Sequence, residues 1–168
     1  MNIEKKFFLG NKKFIQNKKI FSLRNKLAAG QKPYCLVITC SDSRVVPERI
    51  FSCSLGELFV IRTAGNVVNE GELASIEYGI EHLHIKYILV LGHTHCGAIH
   101  AAIHKEQGKY LSPIIDNISR NIIGIVDERN ASITNGIKQV EYIKSKFPHF
   151  DGEVKFALYD IETGEAIF

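Results

Sequence analysis

Two short stretches hold the residues best suited to chemistry. Cys40-Ser41-Asp42-Ser43-Arg44 sets a soft metal ligand, a carboxylate and a guanidinium side by side. Some 50 residues later, Gly92-His93-Thr94-His95-Cys96-Gly97 adds an imidazole and a second thiol at His-x-x-Cys spacing. Thiolate and imidazole are ligands that zinc favours, and three protein ligands with one open position mark a catalytic rather than a structural zinc site. Cys40, His93 and Cys96 are therefore the candidate metal ligands, a Cys2His set for one zinc ion. Asp42 lies close enough in sequence to become a fourth ligand and shut out water. Arg44, two residues on, can grip that carboxylate in a charge-assisted, bidentate bond and hold it off the metal. The carboxylate is then free to orient a metal-bound water.

Each of these residues has a plainer reading. A free cysteine after an apolar run behaves as a small hydrophobe, and that reading is adopted for Cys35 and Cys53. For Cys40 the charged residues that follow argue against a greasy pocket. Asp42 and Arg44 alone would be a surface ion pair worth about 0–1 kcal/mol. A phosphatase or sulfurtransferase role for Cys40 needs Cys-x5-Arg, whereas arginines fall here at Cys-x3-Arg and Cys-x8-Arg. Asp42 would also repel an anionic substrate.

The elements around these stretches explain how they meet. Residues 34–39, 58–62, 87–91 and 154–159 are apolar, β-branched runs, as expected of strands covered on both faces. Pro47 opens a short helix, Asn69 caps another with Glu72 in the capping-box position, and Gly97 starts a third. Ser112-Pro113 reads as a cap and first turn, and a long helix is expected from about Ala131 to Lys146. Glu162-Thr163-Gly164-Glu165 reads as a hairpin turn into the last residues. The expected fold is α/β, a mostly parallel sheet flanked by helices, with an antiparallel edge strand from the C-terminal hairpin. Ligands then collect beyond the carboxyl ends of the strands, where Cys40 and the His93–Cys96 pair both fall.

The chain of 168 residues is sized for one domain, 1–168. Residues 1–30, apolar positions among lysines, read as an N-terminal arm of one or two amphipathic helices. They would pack on the domain or on a partner subunit. A net charge of +3 is too small to argue for nucleic acid. Phe7-Phe8-Leu9 is too short for the core of a signal peptide, and no run is long enough to span a membrane. A reducing cytoplasm, with thiols available to metal, is the expected setting.

Taken together, these residues resemble the β-class carbonic anhydrases. The family pattern is Cys-x-Asp-x-Arg followed by His-x-x-Cys. Further blocks are similar and in family order: Cys40 to Glu48, Arg62-Thr-Ala-Gly-Asn66, Ala74 to Tyr78, Gly92 to Ala98 and Tyr159 to Gly164. The resemblance runs from about Gly10 to Phe168 and marks a compact, bacterial-type member. It implies reversible hydration of carbon dioxide to bicarbonate and a proton by zinc-bound hydroxide. Cys40, His93 and Cys96 would be the ligands and Asp42–Arg44 the orienting dyad, with Asp42 on the metal only if the site closes. It also implies a homodimer, often doubled to a tetramer. His95 and His100 are extra imidazoles with pKa values suited to proton release, set against a plain place on the rim.

Two rivals remain at this stage. One keeps the scaffold and changes the substrate to carbon disulfide or carbonyl sulfide. The other is a non-catalytic, zinc-stabilised dimer. Against the latter stands the Asp42–Arg44 pair, which a structural site does not need.

Overall fold

Runs of aliphatic and β-branched residues without a charged interruption build the centre of the molecule. In the computed structural model, which describes residues 2–168, β1 (Cys35–Cys40) is buried along its whole length. β3 (Tyr87–His93) is buried from its second residue onward. With β2 (Leu58–Thr63), β4 (Glu153–Tyr159) and β5 (Ala166–Ile167) they form one five-stranded sheet in the order β2-β1-β3-β4-β5. β1 to β4 are parallel, and β5 returns antiparallel on β4. The expected α/β class and the antiparallel edge strand are both present.

Because side chains alternate across a strand, the two central strands supply two cores. Leu36, Ile38, Ile88 and Val90 face α4 (Glu70–Glu81) and α7 (Glu128–Lys146), packing with Ile76, Val140 and Ile143. Cys35, Val37, Leu89 and Leu91 face the other way, toward Val45 and the short α3 (Pro47–Ile50). A third cluster joins α5 (Gly97–Ile103), α6 (Ser112–Asn121) and α7 through Ile99, Ala102, Ile115, Ile118 and Ala131. It includes Cys40 and Cys96.

Several boundaries differ from the sequence expectation, for physical reasons. β1 runs on to Cys40, because the ladder with β2 continues to the Cys40–Thr63 pair. β3 runs on to His93, paired with Tyr159 of β4. Both candidate ligands therefore sit on the last rung of a strand rather than in the loop beyond it. α7 starts at Glu128, capped by Asp127, whose carboxylate accepts the Asn130 N–H at 2.8 Å. Its first turn is polar, so apolar periodicity could not reveal it. Ser112 is not a cap: its hydroxyl donates to the Gly108 carbonyl at 3.0 Å, and Leu111 occupies the cap position.

The N-terminal segment forms α1 (Ile3–Gln16) and α2 (Lys18–Leu27), joined at Asn17, whose side chain caps α2. Neither helix contains a buried residue. Phe7 (70% exposed), Phe8 (60%) and Phe21 (50%) leave the apolar stripe open to solvent. Among the described residues, no helix is long and apolar enough to cross a membrane.

Candidate metal centre

The sheet register decides what can meet at its carboxyl edge. β1 and β3 are neighbours, paired at Thr39–Leu91, and the Thr39 hydroxyl donates to the Leu91 carbonyl at 2.9 Å. Cys40 and His93 thus emerge on adjacent strands, and Cys96 follows as the residue capping α5. One donor atom from each of the three lies within 4.8 Å of the other two, and all three residues are buried. The two sulfurs are 3.9 Å apart. All four cysteines of the chain are free thiols.

His93 reveals which atom faces the centre. Its Nδ1 lies 2.8 Å from the Thr94 carbonyl oxygen. A carbonyl only accepts, so Nδ1 carries the proton and Nε2 presents a lone pair. Nε2 is buried and has no hydrogen-bond partner. An orphaned acceptor costs about 1–3 kcal/mol when buried, unless an ion satisfies it. A ring nitrogen held by a backbone carbonyl on its far side is the usual arrangement of a metal-ligating histidine. Two sulfurs and one imidazole nitrogen, the donor set found among the described residues, fit a zinc ion with one open position.

Electrostatics favour sulfur ligation as well. The Cys40 thiol is pulled well below the usual thiol range, first by the hydrogen bond from Cys96, with the N–H groups of Asp42 and Gly65 adding to it. Burial opposes this but does not prevail. Cys96 moves the other way: the neighbouring Cys40 sulfur raises it most, and burial adds to the effect. The N–H groups of Ala98 and Ile99 point back at the Cys96 sulfur from the first turn of α5. A cation between the two sulfurs would favour both as thiolates.

Asp42 and Arg44 stand beside this cluster. Arg44 Nε donates to Asp42 Oδ1 at 3.0 Å and Nη2 to Oδ2 at 2.7 Å, while the Arg44 N–H also reaches Oδ1 at 2.9 Å. That grip holds the carboxyl down to about 2, against the smaller effect of burial. Arg44 Nη2 further donates to the His95 carbonyl at 3.1 Å, tying the two stretches together.

A family model described as Carbonic anhydrase matches residues 35–146. The chain belongs to that family. Carbonic anhydrase 2 of Mycobacterium tuberculosis is 41% identical over 105 residues, covering 60% of this chain and 51% of its own. The chain thus spans about half the length of the first curated relatives it matches. The solved β-carbonic anhydrase CcaA is 30% identical with a TM-score of 0.82, covering 98% of this chain and 94% of that one. One of two tetrameric β-carbonic anhydrases from Sordaria macrospora is 28% identical with a TM-score of 0.73, covering 98% and 92%.

The structure brings Cys40, His93 and Cys96 into one cluster and sets Asp42 and Arg44 against each other beside it. The two extra histidines are engaged elsewhere. His95 Nε2 lies 3.1 Å from Glu162 Oε1. His100 Nδ1 lies 2.7 Å from Glu128 Oε1, and its ring stacks on His104. Sequence reasoning missed Arg62, whose guanidinium grips the Cys40 carbonyl at 3.0 and 3.2 Å and the Asp42 carbonyl at 2.6 Å. It also missed the Gly65 N–H, 3.3 Å from the Cys40 sulfur. Backbone partners leave no residue-type signal, so only the register of β1 against β2 exposes them.

Proposed function

We propose that the protein catalyses the reversible hydration of carbon dioxide to bicarbonate and a proton, with one zinc ion per chain held by Cys40, His93 and Cys96. The observation that carries this reading is the buried two-sulfur, one-nitrogen cluster with Asp42 held aside by Arg44. Zinc, when bound in such a set, supplies Lewis-acid activation of water at neutral pH.

The chain's own groups do the rest. The backbone N–H groups on each sulfur spread the ligand charge, and the Thr94 carbonyl fixes the tautomer of His93. Arg44 occupies both oxygens of Asp42, which keeps the carboxylate from closing on the fourth position. Ionised across the neutral range, Asp42 accepts a hydrogen bond from the attacking water and so fixes its orientation. With Arg44 removed, Asp42 is free to become the fourth ligand. One of His95 and His100, both exposed and each paired with a glutamate, assists the passage of the released proton to buffer.

We propose a homodimer, or a tetramer built from it, as the working unit. The support is the exposed apolar stripe of α1 and α2, together with the tetrameric assembly named for the Sordaria relatives. In this reading residues 1–168 are one domain and residues 1–30 an arm laid on the partner subunit. The free thiols of the cluster suit a reducing cytoplasm.

Stopped-flow hydration of carbon dioxide by the zinc-loaded protein, followed across pH, tests the reading. Turnover that rises with pH and disappears on chelation is expected. One bound zinc without hydration at any pH would overturn it, and carbon disulfide or carbonyl sulfide run alongside would reveal a different substrate.

A further inference from the structure

A set of hydrogen-bonded amide side chains joins α6 and α7 and reaches Gly65, whose N–H lies on the Cys40 sulfur. Asn135 and Gln139, one turn apart on α7, are completely or almost completely buried (0% and 1% exposed). The Val68 N–H donates to Gln139 Oε1 at 3.0 Å. A backbone N–H can only donate, so this end of the chain fixes the Gln139 amide. Its Nε2 then donates to Asn117 Oδ1 at 2.8 Å and to Asn135 Oδ1 at 3.3 Å. Asn121 Nδ2 donates to the same Asn135 oxygen at 2.9 Å. The Asn135 amide is thereby oriented with Nδ2 toward the Gly65 carbonyl, 3.0 Å away. A carbonyl can only accept, so both ends of the chain agree on one direction.

Gly65 is where this chain meets the metal cluster. Its backbone is left-handed, at φ 67 and ψ 21, and its N–H points at the Cys40 sulfur. The carbonyl held by Asn135 and the N–H held by the sulfur lie on opposite sides of the Gly65 Cα. One hydrogen bond on each of its two peptide planes thus favours the left-handed conformation that aims the N–H at the sulfur.

We propose that Asn135 is a positioning residue for the metal centre, acting through the Gly65 backbone to keep an N–H on the Cys40 sulfur. Asn121 and Gln139 hold Asn135 in the required orientation, and the role of each is geometric. The proposal rests on Cys40 being a metal ligand. Partners one shell out from a ligand typically change metal affinity by about 10–100-fold when removed. Burial alone would predict only lost stability.

The test is zinc affinity by chelator competition on the full chain, with the thiolate-to-metal charge-transfer band of the cobalt(II)-loaded protein as a second readout. The Gly65 N–H stands one shell out from the metal ligand and Asn135 one step further, so Asn135→Ala should weaken zinc binding by about 10-fold, the lower end of that range, and shift the cobalt band. Val140→Ala, at a buried α7 position in the core cluster of Leu36 and Ile143, should lower stability while leaving both readouts at the wild-type value. If Asn135→Ala does not fold, Asn121→Ala removes one donor to the Asn135 oxygen and should move both readouts the same way by less. Wild-type affinity and an unshifted band, or shifts no larger than those of Val140→Ala, overturn the proposal. Wild-type protein that takes up no zinc would instead overturn the ligand assignment, a result that the variants cannot mimic.

Discussion

Arg44 holds both oxygens of Asp42, Nε on Oδ1 at 3.0 Å and Nη2 on Oδ2 at 2.7 Å. The bond also spans two functions, since the same Nη2 reaches the His95 carbonyl beside the second ligand stretch. Removing the guanidinium frees Asp42 to turn toward the metal. Arg44→Ala is expected to keep one zinc per chain and to lose roughly 10–100-fold in hydration rate. Metal analysis alongside stopped-flow assays checks both halves, and full activity would show that the grip has no catalytic part.

The same pair gives a pH signature. The folded carboxyl of Asp42 titrates near 2, below the value of about 3.9 in an unfolded chain. The pair's contribution to stability is therefore fully present above about pH 3.9. It is lost as the pH falls toward 2, where the folded carboxyl takes up its proton. Carbon-detected NMR of Asp42 should follow this titration, and Arg44→Ala should move the midpoint up toward the unfolded value.

Serine substitutions should separate Cys40 and Cys96 from Cys53. Cys40→Ser and Cys96→Ser are expected to reduce bound zinc from one per chain to a small fraction. Cys53→Ser should leave it at one, because Cys53 sits with Tyr34, whose hydroxyl is 3.0 Å from its sulfur. Atomic absorption on dialysed protein measures this directly.

Much of this was legible in the sequence because strand ends concentrate function. Cys40 and the His93–Cys96 pair could be placed at one edge as soon as residues 34–39 and 87–91 read as strands of one parallel sheet, while their adjacency came only with the strand order. The Arg44 grip on Asp42 was legible from spacing alone. What stayed hidden was carried by backbone atoms and by long-range amides. Arg62 bonds only to carbonyls, and Asn135 reaches Gly65 across 70 positions. Polar residues on a helix normally read as its solvent face, so Asn135 and Gln139 gave no sign of being buried.

Packing of α7 on the sheet yields a stability prediction. Gly136 faces the Phe156 ring of β4, and a Cβ there would overlap the ring edge. Gly136→Ala should destabilise the fold by about 1–3 kcal/mol, as overpacking of a closed interface does. Urea unfolding measures it, and an unchanged midpoint would mean that the ring can turn aside freely.

The N-terminal arm predicts an assembly effect. Deleting residues 2–30 removes Phe7, Phe8 and Phe21 from the surface without uncovering the sheet cores, since α1 and α2 contain no buried residue. Sedimentation velocity should then show the assembly shifted toward the monomer, with the circular dichroism of the sheet domain retained.

The placement of the ligands on β1 and β3 also sets a timetable for biosynthesis. Cys40 and Cys96 are 56 positions apart, and translation at about 5–20 residues per second separates them by roughly 3–11 s. During that interval Cys40 lacks Cys96, and the proposed set of three ligands is incomplete. With the proposed ligand set, zinc capture would follow the pairing of β1 with β3, the slow long-range step of a parallel sheet. The rate at which a refolding chain takes zinc from a chromophoric chelator would therefore clock the closing of the sheet rather than the winding of its helices.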